Sequence, residues 1–133
     1  SVFVGPSGYC GVAYLADATD SDEERQQFAT SVVAADCATG YFSFLHEIGH
    51  NMGLNHDSAN TGGIPGYFSY SYGYCWDVVD SDSCECHRSM MAYSSCTTNS
   101  SCSSCSRYPY ISNADISESG NPTGTVMLIT RVL

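Results

Sequence analysis

One stretch, His46-Glu47-Ile48-Gly49-His50-Asn51-Met52-Gly53-Leu54-Asn55-His56-Asp57, constrains the fold of this chain more than any other. On a helix, residues four apart are rotated by about 40° and displaced by about 6 Å along the axis. His46 and His50 therefore share a face and can offer two imidazoles to one ion. Glu47 sits beside that pair, angled to take a proton from water at the ion rather than to ligate. A third ligand cannot continue up the same helix. Gly53 lets the chain turn sharply, and His56 then returns to the ion. Three neutral imidazoles leave a fourth position for water, the arrangement of catalytic rather than structural zinc, and zinc lowers the pKa of that water to about 7. A lone histidine would read as an ordinary polar residue. Three at these offsets, with Glu second and Gly before the turn, read as one zinc centre.

The flanking pattern predicts a helix from Ala38 to Leu54, with Phe42, Leu45, Ile48, Gly49 and Met52 as a buried stripe. Asp36 or Thr39 is a candidate N-cap, and Gly53 is placed to end the helix. Upstream, Ser1 to Val4 and Gly11 to Leu15 read as strands, Phe28 to Ala35 as a strand in preference to the start of a helix, and Asp17 to Arg25 as an acidic, solvated loop. After Asp57, Ser, Asn, Gly, Tyr and six of the eight cysteines dominate. That half should be irregular and held by cross-links. There is no internal repeat.

A chain of 133 residues is the size of one domain. Fourteen Asp and Glu stand against four Arg and no Lys, for a formal net charge of −10. Nucleic acid and anionic membrane surfaces are therefore excluded as expected partners, because both need clustered basic side chains. No apolar run approaches the about 20 residues of a membrane span. Eight cysteines point to disulfides and a secreted, extracellular location. The alternative is a second, structural zinc site from Cys84, Cys86, His87, Cys96, Cys102 and Cys105. His87 otherwise reads as a surface loop residue. Asn99-Ser100-Ser101 fits the N-glycosylation pattern.

The zinc segment fits the H-E-x-x-H-x-x-G-x-x-H pattern of metzincin metallopeptidases, and Asp57 after the third His resembles their adamalysin, or reprolysin, branch. Cys37-Ala38-Thr39-Gly40-Tyr41-Phe42-Ser43-Phe44-Leu45 is similar to bacterial-type reprolysin-like peptidases. So are Arg107-Tyr108-Pro109-Tyr110-Ile111-Ser112-Asn113 and Asn121-Pro122-Thr123-Gly124. The likeness runs from about Tyr9 to Gly124. Ser89-Met90-Met91-Ala92-Tyr93 resembles the methionine turn beneath the zinc, with Met91 as the soft apolar floor and Met90 as the alternative register. Tyr93 resembles the tyrosine that astacins and serralysins bring near zinc; typical adamalysins lack it, and a packed aromatic is the competing reading. Gly11, Val12 and Ala13, with Tyr14, match the edge strand on the upper rim of a metzincin cleft, where an extended substrate adds as a strand. Asp57 is implied to make structural hydrogen bonds under the site, and Tyr108 and Tyr110 to wall the pocket just past the cut.

The resemblance implies an α+β, metzincin-like (zincin) fold in two parts. Residues 1–57 would supply the C-terminal portion of an upper subdomain, a partial mixed sheet with the zinc helix. Residues 58–133 would form an irregular, disulfide-linked lower subdomain with the methionine turn. With 45 residues before His46, the first strands and the backing helix are expected to be missing, and Gly124 to Leu133 to hold only the beginning of a final helix. An exposed apolar sheet face would be the physical sign. Cys10 with Cys37, and Cys96 with Cys105 as in similar peptidases, are the candidate pairings; the other four cysteines are unordered. The implied activity is zinc-dependent endoproteolysis of protein or peptide substrates with one catalytic zinc ion. Nothing indicates calcium. The rival is a non-catalytic binding or adhesive module derived from a metzincin, against which the retained Glu47 argues.

Overall fold

Strand β1 (Val2–Val4) lies parallel to β3 (Ser31–Ala34), and β2 (Gly11–Ala13) pairs with β3 antiparallel, in the computed structural model, which describes residues 1–5, 8–79, 84–96, 102 and 105–125. The order β1-β3-β2 leaves β2 at an edge. Side chains alternate across a sheet. Val33 is fully buried, while Val2, Val32 and Val12 stand in register across the three strands and are exposed. One apolar sheet face is therefore open.

The acidic stretch expected to be a loop instead enters helix α1 (Asp22–Phe28). The reason is local. The Ser21 hydroxyl accepts from the Glu24 N–H at 3.2 Å, and the Glu24 carboxylate accepts from the Ser21 N–H at 2.9 Å. This capping box satisfies orphan donors, and Asp22, Glu23 and Glu24 place negative charge on the positive end of the helix dipole.

The zinc-motif helix, α2 (Ser43–Asn51), is shorter than the expected span from 38 to 54. Neither Asp36 nor Thr39 caps it. Phe42 holds the cap position in a left-handed conformation, φ 56°, with no side-chain cap bond. The buried stripe also differs. Leu45 and Met52 are exposed, whereas Ser43, His46, Glu47, Gly49 and His50 are buried. The helix turns its polar, ligand-bearing face inward. Gly53, at φ 84°, takes the chain out of the helix.

After a single-turn helix α3 (Ser58–Thr61), the second half is more regular than expected. β4 (Cys75–Val79) and β5 (Cys84–Arg88) are antiparallel, and β6 (Cys105–Arg107) adds parallel to β5. A small hairpin joins β7 (Ser117–Glu118) and β8 (Asn121–Pro122). The core here is sulfur: Cys86, Cys96, Cys102 and Cys105 are buried with Ala92, and Cys75 and Cys84 pack against them. Disulfides join Cys10–Cys37, Cys75–Cys96, Cys84–Cys102 and Cys86–Cys105. The Cys96–Cys105 pairing is thus corrected, because β5–β6 register sets Cys105 opposite Cys86. The cysteines that could have formed a second zinc site are all held in disulfides, Cys96 with Cys75 and the other four in two pairs among themselves. Each bridge closes a loop of 18 to 27 residues, worth about 3 kcal/mol in the chain-entropy account. His87 is not a surface residue. It is buried in β5 against Trp76 and Tyr108, with ring centroids 5.7 Å and 4.7 Å away. Asn99-Ser100-Ser101 and residues 126–133 lie outside the described residues. Among those described, no helix is long and apolar enough to cross a membrane.

Candidate metal centre

Helix α2 sets His46 and His50 on one buried face, and the turn at Gly53 returns His56 to them. A side chain at Gly53 would collide with Tyr67. Backbone bonds from Leu54 N–H to Gly49 C=O and from Asn55 N–H to Ser71 C=O, both 2.9 Å, hold the return path. Nε2 of His56 stands 3.1 Å from Nε2 of His46 and 3.1 Å from Nε2 of His50. Tetrahedral zinc with bonds of about 2.0–2.1 Å holds its donors about 3.3 Å apart.

The opposite ring nitrogens fix the tautomers. His46 Nδ1 lies 2.8 Å from the Met90 carbonyl, and His50 Nδ1 lies 2.8 Å from the Leu54 carbonyl. A carbonyl only accepts, so both Nδ1 atoms donate, leaving both Nε2 atoms as lone pairs. Burial keeps the rings neutral, lowering the pKa of His46 to about 3 and of His56 to about 4, and lowering that of His50. Lone pairs converge at 3.1 Å, and one N–H on His56 could serve only one neighbour. A cation at their common point satisfies all three. The donor set therefore fits zinc.

Glu47 is buried beside this cluster. Burial pushes its pKa up to about 7, against a smaller lowering by Arg107. The strand β2 crosses directly over it: a Cβ on Gly11 would lie 2.6 Å from Glu47 Oε1. Gly11, Val12 and Ala13 line a cleft of about 550 Å³ together with the three histidines, Glu47 and Tyr93. Asn51 Nδ2 donates to the carbonyls of Tyr14, at 2.8 Å, and Thr30, at 3.1 Å, fastening the helix end to the residues that adjoin the paired strands β2 and β3.

The 90–93 segment closes the site from below. Met91 is 1% exposed, and its Sδ lies 2.5 Å from where a Cβ on Gly49 would be. The sulfur therefore sits against α2 between the two helical histidines, while Met90 supplies the carbonyl for His46. Tyr93 stacks on His56, centroids 4.2 Å apart. The Asp57 carboxylate caps α3 at Asn60 N–H, 3.2 Å, and accepts from Tyr93 N–H at 3.0 Å, so it joins the loop that carries His56 to the segment that carries Met90 and Met91.

Two expected residues are not brought in. Tyr108 and Tyr110 are absent from the cleft lining. Tyr108 packs with Trp76 and His87, and the Tyr110 hydroxyl donates to Glu118 at 3.0 Å. Strand alternation explains this, because Arg107 takes the cleft-facing position and its neighbour Tyr108 faces away. Arg107 and Arg88 both line the cleft. The sequence reading gave neither a role, although arginine is rare enough here to have drawn notice.

Residues 1–57 match the family described as metallo-peptidase family M12B, reprolysin-like. Peptidyl-Asp metalloendopeptidases of Stenotrophomonas maltophilia strain K279a and of Xanthomonas campestris pv. campestris are each 37% identical over 123 residues, 92% of this chain, but only 26% and 25% of their own lengths. A peptidyl-Asp metalloendopeptidase of Pseudomonas fragi is 36% identical over 96 residues, 72% of this chain and 58% of its own length. The chain thus spans about a quarter of the length of the first two relatives. No solved structure matches it significantly. The match to the reprolysin-like metallopeptidases thus runs through the three-histidine segment, and the likeness to the peptidyl-Asp metalloendopeptidases extends beyond it.

Proposed function

We propose that this chain carries the zinc-binding and catalytic core of a metalloendopeptidase that hydrolyses internal bonds of extended protein substrates. The observation carrying this reading is the convergence of three Nε2 atoms beside a buried carboxyl group. His46, His50 and His56 hold one ion. When bound, zinc supplies Lewis-acid polarisation of the scissile carbonyl and acidifies a water molecule. Glu47 takes the proton as the water oxygen bonds to the carbonyl carbon, then delivers it to the amine nitrogen as the C–N bond breaks. Burial raises the basicity of the Glu47 carboxylate, the direction a general base needs.

The free edge of β2 offers backbone N–H and C=O groups, so Gly11, Val12 and Ala13 bind the substrate as an added antiparallel strand. Tyr93, which lines the cleft, is assigned to hydrogen-bond the reacting carbonyl oxygen. Met91 is the floor under the imidazoles. Asp57 and Gly53 support the loop that carries His56. The surrounding fold is read as metzincin-like, residues 1–57 above the cleft and 58–133 below. The names of the relatives support aspartate beside the cleaved bond as the substrate class. Four disulfides support an extracellular setting.

The test compares zinc content and cleavage of an unfolded, aspartate-containing protein by the wild type and by Glu47→Gln. One zinc per chain is expected in both, with the variant slower by about 10²–10⁴-fold. Equal rates would remove Glu47 from the mechanism. A zinc-loaded wild type that cleaves nothing would overturn the endopeptidase reading in favour of a binding module.

A further inference from the structure

The chain has four basic side chains against fourteen acidic ones, counting histidine as neutral. Two of the four, Arg88 and Arg107, line the cleft beside Glu47 and the imidazoles. They are register partners on β5 and β6, two residues beyond Cys86 and Cys105, which are themselves register partners and disulfide-bonded. Side chains two apart share a sheet face, so the disulfide fixes two guanidinium groups side by side. Like charges opposed across a sheet destabilise it. Burial adds to this, lowering the pKa of Arg88 to about 10 and lowering that of Arg107.

The two groups are not equivalent. Arg88 is committed to the backbone, with Nε donating to the Cys105 carbonyl at 2.8 Å and Nη1 to that of Ala92. Among the described residues, Arg107 donates one bond, from Nη1 to the Tyr41 carbonyl at 2.8 Å, while its Nε is buried with no hydrogen-bond partner. A buried donor without an acceptor is costly. The acceptor that fits a guanidinium edge is a carboxylate, whose two oxygens match two parallel N–H groups. A protein of net charge −10 repels acidic peptides at long range, so a site that takes one needs a cation placed locally.

We infer that Arg107 is the specificity-determining residue of the cleft, its guanidinium binding the side-chain carboxylate of a substrate aspartate beside the scissile bond. The inference rests on the endopeptidase reading above. Arg107 neither ligates the ion nor moves a proton; it selects the peptide.

The test uses two internally quenched peptides that differ only in aspartate or asparagine beside the cleaved bond. The zinc-loaded wild type should favour the aspartyl peptide in kcat/KM by about 100-fold. Arg107→Gln should bring the ratio to within about threefold by losing aspartyl turnover while asparaginyl turnover holds. Arg107→Lys, which keeps a charge but not the planar fork, should retain about a tenfold preference. An unchanged ratio in both variants, or a parallel fall on both peptides, would overturn the inference; the parallel fall is what mere pinning of Tyr41 would give. Should Arg107→Gln not fold, as judged by zinc content and unfolding midpoint, the lysine variant decides alone, and an undiminished preference sinks the idea. If the wild type cleaves neither peptide, the endopeptidase reading fails separately. Calorimetric titration with the same peptides then tests Arg107: tighter aspartyl binding that Arg107→Gln abolishes supports it, and equal affinities overturn it.

Discussion

The sulfur of Met91 occupies the space in which a side chain on Gly49 would begin, 2.5 Å from an ideal Cβ. Gly49 lies between His46 and His50 on α2 and can carry no side chain without moving that sulfur. Gly49→Ala should therefore destabilise the protein by about 1–3 kcal/mol, as overpacking of a filled interior does. Denaturant unfolding of the zinc-loaded protein measures it. An unchanged midpoint would show that Met91 relocates freely and is no floor.

Gly11 stands in the same relation to Glu47. A methyl group at Gly11 would lie 2.6 Å from Oε1 and 2.7 Å from Cγ, so Gly11→Ala must displace the carboxyl group. The three histidines are untouched by this change. Zinc stoichiometry should hold while kcat falls by about 100-fold, the scale of an ångström misplacement of a catalytic group. Loss of zinc in parallel with activity would contradict the assignment of separate roles.

The metal-free protein should lose stability as pH falls from 6.5 to 4.5. Burial holds His46 at about 3 and His56 at about 4 against an ordinary 6.5, so across this window the unfolded chain takes up protons on both rings and the folded chain takes up few. His50 is shifted in the same direction. Glu47 opposes them. Its pKa of about 7 against 4.5 means that its contribution is complete below 4.5 and is lost as pH rises through 7. Between 4.5 and 6.5 the histidines outnumber the one carboxyl group. Thermal midpoints after chelation, taken across this range, check the sign, and zinc added at pH 7 should raise the midpoint. A midpoint that climbs on acidification would contradict the burial of the rings.

The parts of the site legible in the sequence were those whose chemistry demands a fixed offset. His46 and His50 had to share a helix face, Gly53 had to turn, and His56 had to return. The edge position of Gly11 to Ala13 and the burial of Met91 followed the family resemblance. The capping box at Ser21 and Glu24 was also written plainly, but the acidic run around it reads equally well as a solvated loop. The buried face of α2 was misread because hydropathy locates an apolar stripe, whereas this helix buries imidazoles and a carboxyl group whose partners come from distant residues such as Met90. Disulfide pairing and the inward turn of Arg107 depend on the register of β5 and β6, which no local pattern in so cysteine-rich a stretch specifies.

Met90 and Met91 lie inside three closed loops, Cys75–Cys96, Cys84–Cys102 and Cys86–Cys105. The acceptor that orients His46 and the support beneath Gly49 are thus both delivered by a segment whose own shape depends on thiol oxidation. Reducing these bridges should therefore loosen the carbonyl that orients His46 while leaving the chain segment that carries the histidines uncut by the change.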